Sequence, residues 1–273
     1  MNEIPTPQKP SRWTGASLSR KRTPVQRVGA WLYGIYTWII FIVLVLSFAV
    51  IAFVAGRPDR SRRLAHRFAR WMFALTGISI SAKGLDRLPA GPHVLLSNHT
   101  SFLDAIVLTA LLPPSPGYTF TTRQEFRLQR VLCPLLRSVR TVVLKPTGDS
   151  HHAGNVEIMR SVLERGENLM IFPEGEFGPE PGLRSLHSGA FVTAAQAGVP
   201  IVVAGLRGAR AILPSGSWLP RRGSIVFEIG PTLMPDSQSA EDIHALLAAA
   251  RKAMIALAGE GARLHDVRTA PVP

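Results

Sequence analysis

The chain begins polar, turns apolar for one long stretch, and then alternates. No charged residue occurs between Val28 and Gly56, and Trp31–Val54 is almost wholly apolar. A helix needs roughly 20 such residues to match a bilayer core, so the run predicts a membrane anchor. Trp31, Tyr33, Tyr36 and Trp38 crowd one end, as in an interfacial aromatic belt. A cleaved signal segment is the competing reading. Its apolar region would span about 7–15 residues and end on small residues, whereas this run is longer and has no such exit. Between Arg57 and Thr76, the apolar positions Leu64, Phe68, Trp71, Met72 and Leu75 recur at helical spacing.

From about Ile78 the period changes. His93–Ser97, Thr141–Leu144, Asn168–Phe172, Pro200–Gly205 and Ser224–Ile229 read as strands. Leu103–Leu112, His151–Arg165 and Ala190–Ala197 read as helices between them. Ser150 is placed to cap the second of these and Gly166 to end it, and Gly198 ends the third. Ser239-Ala-Glu-Asp242 reads as a capping box for a last helix running to Gly259. Alternating strand and helix signals predict an α/β fold with a largely parallel sheet flanked by helices, preceded by the N-terminal membrane-anchoring helical region. The expected organisation is a flexible basic tail (1–27), a membrane-associated helical region (28–76), an α/β domain (77–265) and a loose tail (266–273).

Composition narrows the partners. The chain has 273 residues, 46% hydrophobic and 18% charged, with a formal net charge of +13. That sign favours an anionic partner. Much of the excess borders the apolar run: Lys9, Arg12, Arg20, Lys21, Arg22 and Arg27 precede it, and Arg57, Arg60, Arg62, Arg63, Arg67 and Arg70 follow it. Near an anionic membrane each such residue contributes about 1 kcal/mol. A solvated basic helix face is the plainer alternative. Because basic residues favour the cytoplasmic side, a single span would leave one cluster misplaced. An in-plane or re-entrant helix pair avoids this, yet no Pro or Gly pair marks a turn inside the run, so the sequence leaves both open. Zinc-ligand spacing, RNP-like aromatic motifs and a basic zipper are all missing, so no nucleic-acid partner is expected. Cys133 is the single cysteine, which excludes an internal disulfide and a thiolate metal cage.

Two polar clusters follow predicted strands. His99-Thr-Ser-Phe-Leu-Asp104 comes directly after 93–97, and Phe172-Pro-Glu-Gly175 closes 168–172. Ligands of α/β sheets sit at strand ends. If the two strands are parallel neighbours, the loops share an edge and a site. With Ser101 as N-cap, Asp104 falls at the third helical position and its carboxylate can reach back to His99. A carboxylate that fixes an imidazole in one tautomer leaves the other nitrogen free to take a proton from an alcohol. Ordinary helix capping beside a loop histidine explains the same residues without chemistry.

The blocks in order tip this balance. Asn98-His99-Thr-Ser-Phe-Leu-Asp104 resembles the NHx4D signature of the glycerolipid (lysophospholipid) acyltransferase family, the PlsC-like enzymes. Phe172-Pro-Glu-Gly175 resembles its FPEG block, Val199-Pro-Ile-Val-Val203 its fourth block, and Val139–Lys145 falls where its second block does. The resemblance covers about residues 78–235. It implies transfer of a fatty acyl group from acyl-CoA or acyl-carrier protein to a lysolipid hydroxyl in phospholipid biosynthesis, with no cofactor, no metal and no acyl-enzyme. His99 would be the general base and Asp104 its partner. Pro173, Glu174, Gly175, Lys145 and Arg184 would serve substrate binding. The implied location is a membrane, on the pattern of a bacterial inner membrane with the catalytic domain on the cytoplasmic side.

The third block departs from the family pattern. Glu176 and Phe177 stand where Thr and Arg or Thr are usual, and Lys145 replaces an arginine and loses its bidentate fork. Phe177 cannot grip a phosphate and Glu176 would repel one. Arg184, Arg207 and Arg210 are candidates to compensate. Two alternatives follow: an acceptor without a phosphate, such as an acylated amino-acid lipid, or a family member that binds lipid without catalysis.

Overall fold

The computed structural model describes residues 23–55, 58–123, 139–145 and 149–261. Of the expected tails, residues 1–22 and 266–273 lie outside the described residues, as does Cys133. Helix α1 (Pro24–Ala55) begins earlier than the apolar run. Thr23 Oγ1 accepts from Gln26 N at 3.3 Å, and the Gln26 side-chain oxygen accepts from Thr23 N at 3.1 Å. With Pro24 at the first helical position, this reciprocal cap makes residues 24–27 helix rather than tail. Helix α2 (Pro58–Thr76) runs antiparallel to α1. Tyr33 OH donates to Thr76 O at 2.9 Å, and the Phe48 and Phe68 rings meet at 5.9 Å nearer the other end. Arg63, Arg67 and Arg70 face solvent, while Ala69, Met72 and Phe73 of α2 are buried.

Among the described residues seven strands form one sheet: β1 (Ser79–Lys83), β2 (Val94–Ser97), β3 (Tyr118–Arg123), β4 (Val142–Leu144), β5 (Asn168–Ile171), β6 (Ile201–Arg207) and β7 (Ser224–Leu233), in the order β1-β7-β6-β2-β5-β3-β4. The β6–β7 pairing is antiparallel and the rest are parallel. The expected α/β fold with a largely parallel sheet is the fold observed. Helices α3 (Asp104–Leu111), α4 (Asp149–Glu164), α5 (Gly189–Ala197), α6 (Ala209–Ile212) and α7 (Ala240–Ala258) complete it. Helix α4 contains Ser150 rather than being capped by it. The α7 cap is as expected on one side: Ser239 Oγ accepts from Asp242 N at 3.1 Å, whereas the Asp242 carboxylate turns to Ser237 Oγ.

Successive strand residues point to opposite faces, and two cores result. Leu95, Met170, Val202 and Phe227 pack toward α2 and α3 on one face. Val94, Leu96, Leu169, Ile171 and Val203 pack toward α4, α5 and α7 on the other. Central β2 and β5 are buried throughout. They pair in parallel with Leu96 opposite Ile171, so the loops after Ser97 and Ile171 leave from one edge.

Candidate active site

Asn98 continues the β2–β6 pairing with its side chain. Its Nδ2 donates to Leu206 O at 2.9 Å and its Oδ1 accepts from Leu206 N at 2.7 Å. The strand therefore ends on a fixed point, and the next residue is His99. Asp104 then draws the loop around itself. Oδ2 takes His99 Nδ1 at 2.9 Å, Thr100 N at 2.6 Å and Ser101 N at 2.9 Å. Its side chain is fully buried, and Oδ1 has no partner among the described residues. A carboxylate oxygen only accepts, so Nδ1 carries a proton, and in the neutral ring the lone pair is on Nε2.

The expected cap is corrected here. Leu103, not Ser101, precedes the first helical residue, and that residue is Asp104 itself. Ser101 Oγ is engaged elsewhere, donating to Leu213 O at 2.8 Å and accepting from Leu103 N at 3.2 Å. The His99–Asp104 contact survives because the loop, rather than the helix turn, brings the two together.

The second cluster braces the first. Glu174 is buried, with Oε1 accepting from His99 N at 2.7 Å and Oε2 from Arg184 N at 2.8 Å. Burial raises its pKa against the opposing pull of the Arg184 and His99 N–H groups. Gly175, at φ 73°, closes the turn through Gly175 N to Phe172 O at 3.0 Å, and Pro173 O accepts from His187 N at 2.8 Å. These contacts hold the two loops together. Phe172 stacks on the His99 ring at 4.2 Å and 15°, Phe177 tilts against it at 4.5 Å, and Phe102 meets Phe177 edge-on at 4.7 Å. Sequence reasoning did not foresee that Phe177 touches the base.

The candidate cations are engaged within the protein. Arg184 donates to Glu176 Oε1 at 2.6 Å, Arg207 pairs with Glu228, and Arg210 binds Glu260 at 3.1 and 3.2 Å. Lys145 is exposed at the end of β4, where the Asn155 side chain bonds both its N and its O. It lies on the same sheet edge as His99 but beyond β3 and β5.

His99 opens on an apolar cavity of about 480 Å³ between the helix pair and the sheet, within the roughly 300–1,000 Å³ range of ligand sites. Phe41 and Phe48 of α1, Met72 of α2, Ile106 of α3 and Phe172 contribute to its wall. Pro173, Glu174, Gly175, Lys145 and Arg184 do not line it. Arg62 does, and is itself buried: it donates to Glu167 Oε2 at 2.7 Å and to Thr119 Oγ1 at 2.7 Å. Arg140 holds the other Glu167 oxygen at 2.7 Å. Burial pushes the Glu167 carboxyl up, but hydrogen bonds from Arg62 and Thr119 and the charges of Arg62 and Arg140 outweigh it and bring it to about 2.

A histidine–carboxylate pair at the edge of such a sheet is the arrangement the sequence blocks pointed to; the structure adds the bracing FPEG turn and the apolar cavity. Residues 79–207 match the family model described as Acyltransferase. The curated relatives include the chloroplast 1-acyl-sn-glycerol-3-phosphate acyltransferase LPAT1 of Arabidopsis thaliana, 29% identical over 63% of this chain and 50% of the relative. Another is the lyso-ornithine lipid O-acyltransferase of Pseudomonas aeruginosa, 29% identical over 50% of this chain and 52% of the relative. The chain thus spans about half the length of these relatives. The crystal structure of PlsC, the 1-acyl-sn-glycerophosphate acyltransferase of Thermotoga maritima, shares the fold, with a TM-score of 0.65 at 17% identity, covering 83% of this chain and 94% of that one.

Proposed function

We propose that this chain transfers a fatty acyl group from a thioester, acyl-CoA or acyl-carrier protein, to the hydroxyl of a lysolipid at a membrane surface. The observation that carries this reading is the Asp104-held His99, which lines an apolar cavity and whose Nδ1 is taken by Asp104, leaving Nε2 to serve it. Nε2 takes the proton of the acceptor hydroxyl as its oxygen attacks the thioester carbonyl carbon. The tetrahedral oxyanion collapses, the C–S bond breaks, and the Nε2 proton passes to the departing thiolate. Asp104 stabilises the imidazolium between the two steps. The acyl chain occupies the cavity. An intact His99–Asp104 pair argues against a member that only binds lipid.

The acceptor is a lysophosphatidic acid-type lipid or a related lysolipid. Phe177 against His99 and the Glu176–Arg184 pair favour an acceptor without a phosphate monoester, such as an acylated amino-acid lipid. The lyso-ornithine relative supports the same direction.

The membrane is met by α1, which is long and apolar enough to cross one. Its 32 residues extend about 48 Å. However, Phe41 and Leu44 pack on the domain core and α2 lies alongside. An upright span would draw both into the bilayer with the arginines of α2. Lying in the plane of one leaflet keeps both basic clusters on one side.

The decisive assay incubates purified protein with labelled acyl-CoA or acyl-carrier protein and a panel of lysolipids. Turnover that disappears in His99→Ala supports the reading. Equal turnover in that variant removes His99 from the mechanism, and no acylation of any lysolipid by the wild type removes the function.

A further inference from the structure

The segment between α6 and β7 is built beyond what the sheet needs. Residues 213–223 form a loop that starts at the buried Leu213, with Arg221 N donating to Ile212 O at 2.9 Å and Ser217 N to Pro214 O at 3.0 Å. At the tip Trp218 is 54% exposed. Its ring meets Trp31 edge-on at 5.1 Å, and its carbonyl accepts from Trp38 Nε1 at 2.6 Å. Leu219 lies over Gly34, where a Cβ would stand 2.3 Å from Leu219 Cδ1, so glycine permits the approach. The Arg222 guanidinium sits 5.0 Å from the centre of the Tyr33 ring.

The loop lies where the outer face of α1 continues. At about 100° per residue, the exposed Leu32, Ile35, Ile39, Val43, Leu46 and Val50 form one stripe. Tyr36, bonded to Leu75 O at 2.9 Å, borders it on the α2 side. Trp31 and Trp38 border it on the other, where Trp218 extends it. Indoles at an apolar edge with cations beside them suit the head-group level of a bilayer.

We propose that the loop 213–223 is a second docking element for an anionic phospholipid bilayer, with Trp218 seated at head-group level and Arg221 and Arg222 against lipid phosphates. The net charge of +13 and the continuity with the α1 stripe commit the surface to a membrane. The proposal rests on the in-plane reading of α1.

Vesicle co-sedimentation of the full chain tests it without any turnover. Trp218→Ala should lower partition about tenfold onto phosphatidylcholine vesicles and onto vesicles that also contain phosphatidylglycerol. Arg221→Gln with Arg222→Gln should lower it about 30-fold onto the anionic vesicles alone. Trp218→Phe should remove part of the fluorescence quenched by brominated lipid. Wild-type partition and quenching in all three variants would overturn the proposal while leaving α1 as the anchor. Failure of the wild-type chain to bind either vesicle would remove the in-plane reading with it. An oligomer that falls to monomer in Trp218→Ala, with partition unchanged, would assign the surface to a second copy and overturn the proposal too.

Discussion

Glu167→Gln tests how the helix pair is fastened to the sheet. Glu167 on β5's entry ties Arg62 of α2 to Thr119 of β3 and to Arg140, all through one carboxylate. Its pKa falls from 4.5 to about 2 in the fold, and at about 1.4 kcal/mol per unit this is worth about 3 kcal/mol at neutral pH. The folded value lies below the unfolded one, so this stability is complete above about pH 4.5 and is lost as pH falls toward 2. Glutamine copies the protonated form and leaves the Arg62 guanidinium without a carboxylate. Urea unfolding in detergent, followed by circular dichroism, should show the variant about 3 kcal/mol less stable at pH 7, the gap narrowing to a few tenths of that unit near pH 2. A gap below about 1 kcal/mol at pH 7, or one that does not change on acidification, would refute the reasoning.

Other outcomes follow from the site. Asp104→Asn keeps an oxygen for His99 Nδ1 but loses the charge that stabilises imidazolium, so kcat should fall about 10²–10⁴-fold with the fold retained; steady-state kinetics with circular dichroism checks this. Glu174→Gln sets an amide N–H against one of two backbone donors, costing about 1–3 kcal/mol of stability and lowering kcat through the His99 loop, as measured by thermal unfolding beside turnover. Phe177→Arg should maintain or raise acylation of lysophosphatidic acid, and a large drop in a folded variant would contradict the reading of the acceptor. Deleting residues 28–56 should release the protein from membranes that retain the full chain through alkaline extraction.

The sheet was legible where strands are apolar runs: β2, β5 and β6 are buried on both faces and stand out as such. β1 and β3 were not, because Ser79–Lys83 and Tyr118–Arg123 mix Ser, Thr and charged residues with few apolar ones. β1 is an edge strand with alternating exposure. The Thr23-Pro-Val-Gln26 cap was readable and was masked by the basic composition around it. At the site, residue type and spacing brought His99 and Asp104 together for a reason that proved different. The pair depends on three donors converging on one oxygen, and two of those are backbone groups that no sequence spells out. The FPEG resemblance assigns Glu174 to positioning the acceptor and says nothing of how it is held. Its partners are main-chain N–H groups, visible only once β2 and β5 lie side by side. Arg62 and Glu167 are 105 positions apart and joined solely by the way α2 crosses the sheet.

Helix α1 is apolar on two opposite sides, one lining the cavity and the other exposed. Phe41 and Phe48 wall the cavity, while Leu32 to Val50 form the outer stripe. An acyl chain moving from a leaflet into that cavity would exchange one hydrocarbon setting for another and skip the penalty of about 0.8 kcal/mol per methylene that water imposes. The usual gain for each added methylene would then vanish for a lipid-borne chain and survive for one delivered from water on a soluble carrier. On the proposed in-plane placement of α1, that single wall would favour the longer chain from an aqueous donor and be indifferent to the length of a chain already in the membrane.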